Sequence, residues 1–309
     1  MSSYVVVGAG PVGRETARLL AEHGHRVILT SRHAGSIDFP AGHAVSTDAT
    51  DGAELARISK GADAIFMCAM PSYDRWPTDF FPILDGTVSA AESVGARIIV
   101  LGNLYGYGER AANPHTSDAP LDPTTRKGTV RTIMWERARR SRAPALEIRA
   151  SDYLGQNAVG HFSLLALPPL LERKEVGFPG DLDASHAWAF TKDVARTLVA
   201  AAGYKGEWGR AFLAPSRNAS VRELVEMFAA QRHISVPQLL RLTTDELEAA
   251  GYHELIEMAY QFDRPFLVDT SDTETQLGVR ASSLDEMIED TLRGFIGLQD
   301  ASRPARVFV

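Results

Sequence analysis

Along the first half of the chain, apolar residues fall in short unbroken runs separated by stretches with helical spacing. Tyr4-Val5-Val6-Val7 is a β-branched run closed by Gly8, which predicts a buried strand. Over residues 11–23 the apolar positions Val12, Ala17, Leu19 and Leu20 fit one helical face, and Gly24 marks the stop. Further strands are predicted at 27–29, 43–47, 64–69, 97–101 and 145–148. Helices are predicted at 51–60, 78–94 and 126–141, the first with Asp48 or Thr50 as its cap. Such alternation is the mark of a doubly wound parallel sheet. Ile98-Ile99-Val100-Leu101 is continuously apolar, as a strand buried on both faces should be.

After about Asp152 the rhythm changes. Strand signals thin out, and helices are predicted at 158–173, 192–202, 220–232, 244–261 and 284–295. The stretch 188–196 is apolar enough to fold back onto the first half.

Gly8-Ala9-Gly10-Pro11-Val12-Gly13 gives the turn between the first strand and helix a G-x-G-x-x-G pattern. Gly8 permits the tight turn, Gly10 lets backbone approach a pyrophosphate, and Gly13 lets helix pack on strand. The helix N-terminus then offers free N–H groups to phosphate, so a Rossmann-type dinucleotide site is expected. The end of the second strand selects between cofactors. An NAD site calls for an acid there, to accept from the ribose 2′-hydroxyl. This chain has Thr30-Ser31-Arg32-His33, with no acid before Asp38. A hydroxyl and a guanidinium suit a 2′-phosphate, so NADP(H) is expected over NAD(H). Asp48 is a candidate for the adenine amino group or, equally, a helix cap. The expected cofactor set is Gly8, Gly10, Pro11, Val12, Gly13, Ser31, Arg32, Asp48 and Ala69. Residues 1–156 are therefore read as the dinucleotide-binding domain, with 186–203 returning to it. Residues 157–309 are read as a smaller, mainly helical substrate-binding cap.

Composition narrows the function classes. The 309 residues are 45% hydrophobic and 23% charged, with a net charge of −7, which argues against nucleic-acid binding. The single cysteine, Cys68, excludes an intrachain disulfide and a cysteine zinc site. The nine histidines show no zinc spacing, so no metal is expected. No apolar run approaches the roughly 20 residues of a membrane span, and no signal-peptide pattern is present, so a cytoplasmic protein is expected. No G-x-S-x-G elbow suggests a serine hydrolase.

Four further stretches stand in order along the chain: Leu104-Tyr105-Gly106 after the fifth strand, Pro120-Leu121-Asp122-Pro123 before the helix predicted at 126–141, Ile148-Arg149 with Tyr153-Leu154-Gly155, and Phe190-Thr191-Lys192-Asp193-Val194-Ala195. By their order and spacing, the chain from about residue 4 to 200 resembles the extended short-chain dehydrogenase/reductases, the NAD-dependent epimerase/dehydratase family. The resemblance implies catalysis by Tyr-x-x-x-Lys with a hydroxyl residue on the loop after the fifth strand. Here the matching stretch is Lys127-Gly128-Thr129-Val130-Arg131. Lys127 replaces the tyrosine, Arg131 replaces the lysine, and Leu101, Gly102 and Asn103 stand where the hydroxyl residue belongs. The resemblance therefore implies a departure from the ordinary mechanism. Arg131 keeps the charge that holds the nicotinamide ribose but cannot shuttle a proton. Lys127 could donate a proton or stabilise an oxyanion if desolvated. Tyr105 and Tyr107 are candidates for a relocated acid, and Asp152 and Tyr153 for the substrate pocket. The stretch 261–265 either lines that pocket or ends a helix with an Asp263–Arg264 pair.

The predicted helix at 126–141 carries Arg126, Lys127, Arg131, Arg137, Arg139 and Arg140 against Glu136, with Arg142 just beyond. In the family this helix often lies in a homodimer interface, which would require those charges to be paired. The expected function is an NADP(H)-dependent oxidoreductase or epimerase acting on a small-molecule carbonyl or hydroxyl compound. The alternatives are a non-catalytic NADP sensor and a non-redox cyclase or lyase on the same fold.

Overall fold

The computed structural model describes residues 1–39 and 42–300, so residues 301–309 of the expected cap lie outside the described residues. Its centre is a seven-stranded sheet of β1 (Ser3–Val7), β2 (Arg26–Ser31), β3 (His43–Ser46), β4 (Ala64–Met67), β5 (Arg97–Asn103), β6 (Ala145–Ala150) and β10 (Arg210–Leu213). The order is β10-β6-β5-β4-β1-β2-β3, and every pairing is parallel. This is the doubly wound Rossmann order with one strand added at the β6 edge.

Alternation along the strands explains the two layers of helices. Val5 and Val7 point into one core with Ile65, Met67, Ile98 and Val100. That core is closed by α2 (Gly52–Ile58), α3 (Trp76–Val94) and α4 (Arg126–Arg139). Tyr4 and Val6 point the other way, with Phe66, Ile99, Leu146 and Ile148. There α1 (Pro11–Glu22) and α6 (Thr191–Ala202) cover them. The stretch 188–196 thus contributes to α6 on the central sheet, and β10 enters the sheet from further along the chain. The cap of α2 is Asp51, whose carboxylate accepts from the Glu54 N–H at 3.0 Å, rather than Asp48 or Thr50.

The C-terminal half is helical with short strands added. β7 (Asp152–Leu154), β9 (His186–Phe190) and β11 (Ser216–Ala219) form one small sheet, and β8 (Val176–Pro179) pairs with β12 (Leu239–Leu242). Strands of three to five residues carry too few positions for a readable period. The helices are α5 (Leu167–Leu171), α7 (Val221–Gln231), α8 (Thr244–Ala249), α9 (His253–Ile256), α10 (Ser271–Leu277) and α11 (Leu284–Asp300). Trp188, Phe162, Phe178, Phe228 and Phe262 anchor the core of this half. The single helix expected over 244–261 is broken into α8, α9 and a 3₁₀ turn, Ala259–Phe262. Gly251, at φ +81°, stops α8 in a conformation that favours glycine.

Candidate active site

A cleft of about 660 Å³ runs across the C-terminal ends of the central strands. One half is bounded by the turn after β1 and the ends of β2 and β3, the other by the ends of β4, β5 and β6 with Gln261 and Phe266. This is where open α/β sheets take their ligands.

The glycine turn is built by close approach. A Cβ on Gly8 would sit 2.4 Å from the Ala69 nitrogen, and Gly8 itself has φ +105°. A Cβ on Gly13 would sit 2.0 Å from the Gly8 carbonyl oxygen. Gly10 differs, because a Cβ there meets nothing within 4 Å. The turn is therefore closed toward the protein and open toward the cleft, as a backbone cradle for phosphate must be. Pro11, Val12 and Gly13 line the cleft with it.

At the far end lie Ser31, Arg32 and Asp48. The Ser31 hydroxyl accepts from the His33 N–H at 3.3 Å. Arg32 is exposed, and its guanidinium makes no ion pair among the described residues. Asp48 accepts from the Thr50 N–H at 2.9 Å. That bond is the main cause holding its carboxyl below the usual range, with Arg32 contributing. Each residue of the expected cofactor set, Ala69 included, lines this cleft.

In the other half an aromatic wall surrounds one buried cation. Trp76 is fully buried and stacks on Tyr105 at 5.9 Å. Arg131 lies with its guanidinium 4.6 Å from the Trp76 ring centre and 4.3 Å from that of Phe80. Its Nη1 donates to the Leu101 carbonyl at 3.1 Å, and no carboxylate pairs with it among the described residues. Burial lowers its pKa, but a guanidinium stays charged. Cation–aromatic contacts, worth about 2 kcal/mol when desolvated, help offset that burial.

The Tyr105 hydroxyl lies 3.2 Å from that of Tyr73, and both line the cleft. Burial pushes the Tyr105 phenol well above its ordinary value, the neighbouring Tyr73 and Asp152 add to this, and Arg131 opposes it. Tyr105 is held in place from below by α4. Thr125 caps that helix by accepting from the Gly128 N–H at 3.1 Å, and a Cβ on Gly128 would lie 2.4 Å from the Tyr105 carbonyl oxygen. A glycine inside the first turn of α4 thus lets the helix approach the tyrosine backbone.

Lys127, expected as a proton donor, stands behind the cleft wall, with its Nζ 5.5 Å from the ring centre of Tyr73. It is buried but does not line the cleft. Its Nζ lies 2.6 Å from Glu254 and 3.0 Å from Glu257, so its charge is spent on fastening α4 to the segment around α9. Tyr107 is also turned away from the cleft: its hydroxyl donates to the Thr116 carbonyl at 2.9 Å and receives Arg149 Nη1 at 2.7 Å. Asp263 and Arg264 do not pair with each other. Asp263 lies 3.4 Å from Arg241, and Arg264 donates to the Glu109 carbonyl.

Beyond the two tyrosines, Asp152 forms part of the cleft wall. Its Oδ2 is 2.9 Å from His186 Nε2, and its Oδ1 is 3.7 Å from His161 Nδ1. Each ring has a backbone carbonyl at its other nitrogen: Gln261 at 3.3 Å from His186 and Leu255 at 3.2 Å from His161. Burial alone would raise the Asp152 pKa. The two histidines outweigh it and hold the carboxyl far below the usual range. Sequence reading placed Asp152 and Tyr153 near the pocket but missed Tyr73, His161 and His186, which follow no motif. Cys68 also borders the cleft, and burial pushes its thiol up to about 12, leaving it unreactive at neutral pH.

Residues 4–212 match the NAD dependent epimerase/dehydratase family. No curated protein gives a significant match. Among solved structures the chain is similar to the enzyme WbmH of Bordetella bronchiseptica in complex with NAD+, at 20% identity and a TM-score of 0.77, over 96% of this chain and 99% of that one. It is similar to a UDP-glucose 4-epimerase of Thermotoga maritima with UDP-glucose, at 16% identity and a TM-score of 0.78, over 96% and 99%. Epimerase Mth375 of Methanothermobacter thermautotrophicus aligns at 17% identity and a TM-score of 0.80, over 97% and 94%. At such identities the likeness is one of fold.

Proposed function

The chain belongs to the NAD dependent epimerase/dehydratase family, and from that premise we propose that it is an NADP(H)-dependent oxidoreductase or epimerase acting on a small carbonyl or hydroxyl compound. The observation that carries this reading is the cleft itself. It joins a glycine turn open only at Gly10 to a half where a phenol and a buried cation meet.

In this reading Gly8, Gly10, Pro11, Val12 and Gly13 hold the pyrophosphate, with Ala69 closing the turn. Ser31 and Arg32 take the 2′-phosphate, a role the neighbours' NAD does not require, and Asp48 faces the adenine. Arg131 orients the nicotinamide ribose. When bound, the nicotinamide supplies or accepts the hydride. Tyr105 Oη gives the proton to the substrate oxygen, so that a carbonyl gaining a hydride at carbon ends as a hydroxyl. Tyr73 Oη, at hydrogen-bond distance, passes the phenolate left behind a replacement proton, and the charge that favours that phenolate comes from Arg131. Lys127 acts as a fastener between α4 and the cap. Among the described residues the cap is 157–300 without 186–203 and without β10. It excludes water from the tyrosine half. Toward the C-terminal end of α4 and just past it, cations that would oppose a homodimer are paired: Arg137 with Asp85 at 2.8 Å, Arg142 with Glu92 at 3.0 Å, and Arg139 and Arg140 with Glu136. That supports the homodimer the family implies.

The test is a calorimetric titration with NADPH and NADH. We expect tighter NADPH binding, with Arg32→Ala removing the difference by roughly 1–3 kcal/mol, the worth of a charge-assisted contact. Tighter NADH binding would overturn the Arg32 assignment. NADPH binding without turnover on any carbonyl would favour the sensor reading.

A further inference from the structure

One charge bordering the substrate half of the cleft is left without a counter-charge. Arg75 and Asp79 pair at 2.8 Å. Asp152 has one oxygen 2.9 Å from His186 and the other 3.7 Å from His161. Behind the wall, Glu147 pairs with Arg149 at 2.7 Å, and neither borders the cleft. Arg131 does border it and is only 8% exposed, yet no carboxylate pairs with it among the described residues. Glu147 is the carboxylate whose field Arg131 feels most, but Arg149 already balances that charge.

The hydrogen bonding of Arg131 is as incomplete as its charge balance. Nη1 donates to the Leu101 carbonyl at 3.1 Å. Nε is buried without a partner, and Nη2 makes no hydrogen bond among the described residues. The Trp76 and Phe80 rings, 4.6 and 4.3 Å away, attract the charge but offer its N–H groups no oxygen. Burying such a charge is costly unless an anion meets it. A ribose hydroxyl, as in the reading above, takes an N–H but leaves the charge unbalanced. A carboxylate supplies both acceptor and counter-charge, and its two oxygens match the guanidinium fork. Tyr105 stacks on the same Trp76 ring at 5.9 Å, so the phenol that donates the proton and the unbalanced cation share one wall. A carboxylate on the carbon next to the reacting carbonyl lets one small molecule meet both.

We propose that Arg131 binds a substrate carboxylate, so that the compound reduced is an α-keto acid and the compound formed is an α-hydroxy acid. This rests on the cofactor reading above. The hydride of NADPH adds to the keto carbon, the Tyr105 proton goes to the keto oxygen, and the carboxylate stays on Arg131 unchanged. NADPH is oxidised to NADP+ as the keto acid is reduced.

NADPH affinity is measured first by calorimetry. The NADPH-loaded protein is then titrated with racemic mandelate and with methyl mandelate, neither of which has a ketone or aldehyde for NADPH to reduce. We expect mandelate to bind at least about tenfold more tightly than its ester, the worth of a charge-assisted contact. In Arg131→Met, which removes the charge and keeps an unbranched side chain, the two should bind alike. A wild-type preference short of tenfold, mandelate binding weaker than about 10 mM, or a preference unchanged in a folded Arg131→Met variant overturns the proposal. If NADPH does not bind, the cofactor reading falls by itself, and the same pair is run on the unloaded protein. There an Arg131-dependent preference for mandelate keeps the carboxylate site, and its absence removes that as well. Should Arg131→Met fail to fold, the wild-type preference decides alone.

Discussion

At the scale of single residues, the site turns on which polar group faces the cleft. Tyr105 does, and burial keeps its phenol protonated through neutral pH. A protonated phenol is ready to donate. Carbonyl reduction should therefore run without loss up to about pH 9, while alcohol oxidation, which needs the phenolate, should rise above pH 10. A pH profile in each direction checks this. Tyr105→Phe should lower kcat by about 10²-fold or more with NADPH affinity unchanged, since general acid catalysis contributes on that scale. Lys127→Ala should behave oppositely. It leaves Glu254 and Glu257 facing each other, so denaturant unfolding should show a loss of about 1–3 kcal/mol with cofactor binding retained. A large loss of kcat in a stably folded Lys127→Ala protein would return the lysine to the chemistry.

Among the elements, the β1–α1 turn makes a sharp distinction between two glycines of one motif. Gly13→Ala drives a methyl into the Gly8 carbonyl, so thermal unfolding should show a much less stable protein or none. Gly10→Ala meets no protein atom, so the fold should keep its Tm. The added methyl instead occupies the space where phosphate approaches the backbone, and dinucleotide affinity should fall at least about tenfold by calorimetry, the cost of a lost or strained polar contact. Equal loss of stability in both variants would show that the turn is structural throughout. The same elements were largely legible in the sequence. Residues 98–101 announce β5 because a strand buried on both faces is continuously apolar, and α1 is announced by its period and by Gly24. The break at Gly251 and the short strands β7, β8 and β12 were not legible, because local spacing there fits more than one conformation.

Over the whole molecule, the two halves are joined by contacts whose partners lie far apart in sequence. His115 is one clasp: its N–H donates to the Leu267 carbonyl at 2.8 Å, and its carbonyl accepts from the Asp269 N–H at 2.8 Å. Its ring stacks on Tyr107 at 5.1 Å and meets Phe266 at 4.5 Å, and neither ring nitrogen has a hydrogen-bond partner among the described residues. Burial, aided by Arg264 and His186, lowers its pKa from 6.5 to about 4. A histidine depressed in this way is neutral in the fold and gains its proton first in the unfolded chain. Its contribution to stability is therefore intact above pH 6.5 and is lost as pH falls toward 4. Thermal melts across that range should show a falling Tm for the wild type and a flatter profile for His115→Phe, which keeps the stack and cannot titrate. Parallel profiles for the two proteins would remove His115 from the account.

The sequence by itself determined the parallel sheet, the helix that follows its first strand, and the glycine turn between them. Each is set by local spacing and by the steric freedom of glycine, which short stretches of chain carry in full. Only the tertiary structure decided which polar groups meet. Tyr73 and Tyr105 are 32 residues apart, Asp152 and His186 are 34 apart, and Lys127 and Glu254 are 127 apart. A side chain that loses water on burial takes whatever partner the packing brings to it. That rule turned Lys127 toward two glutamates and Asp152 toward two histidines, and it left Tyr105 facing the cleft.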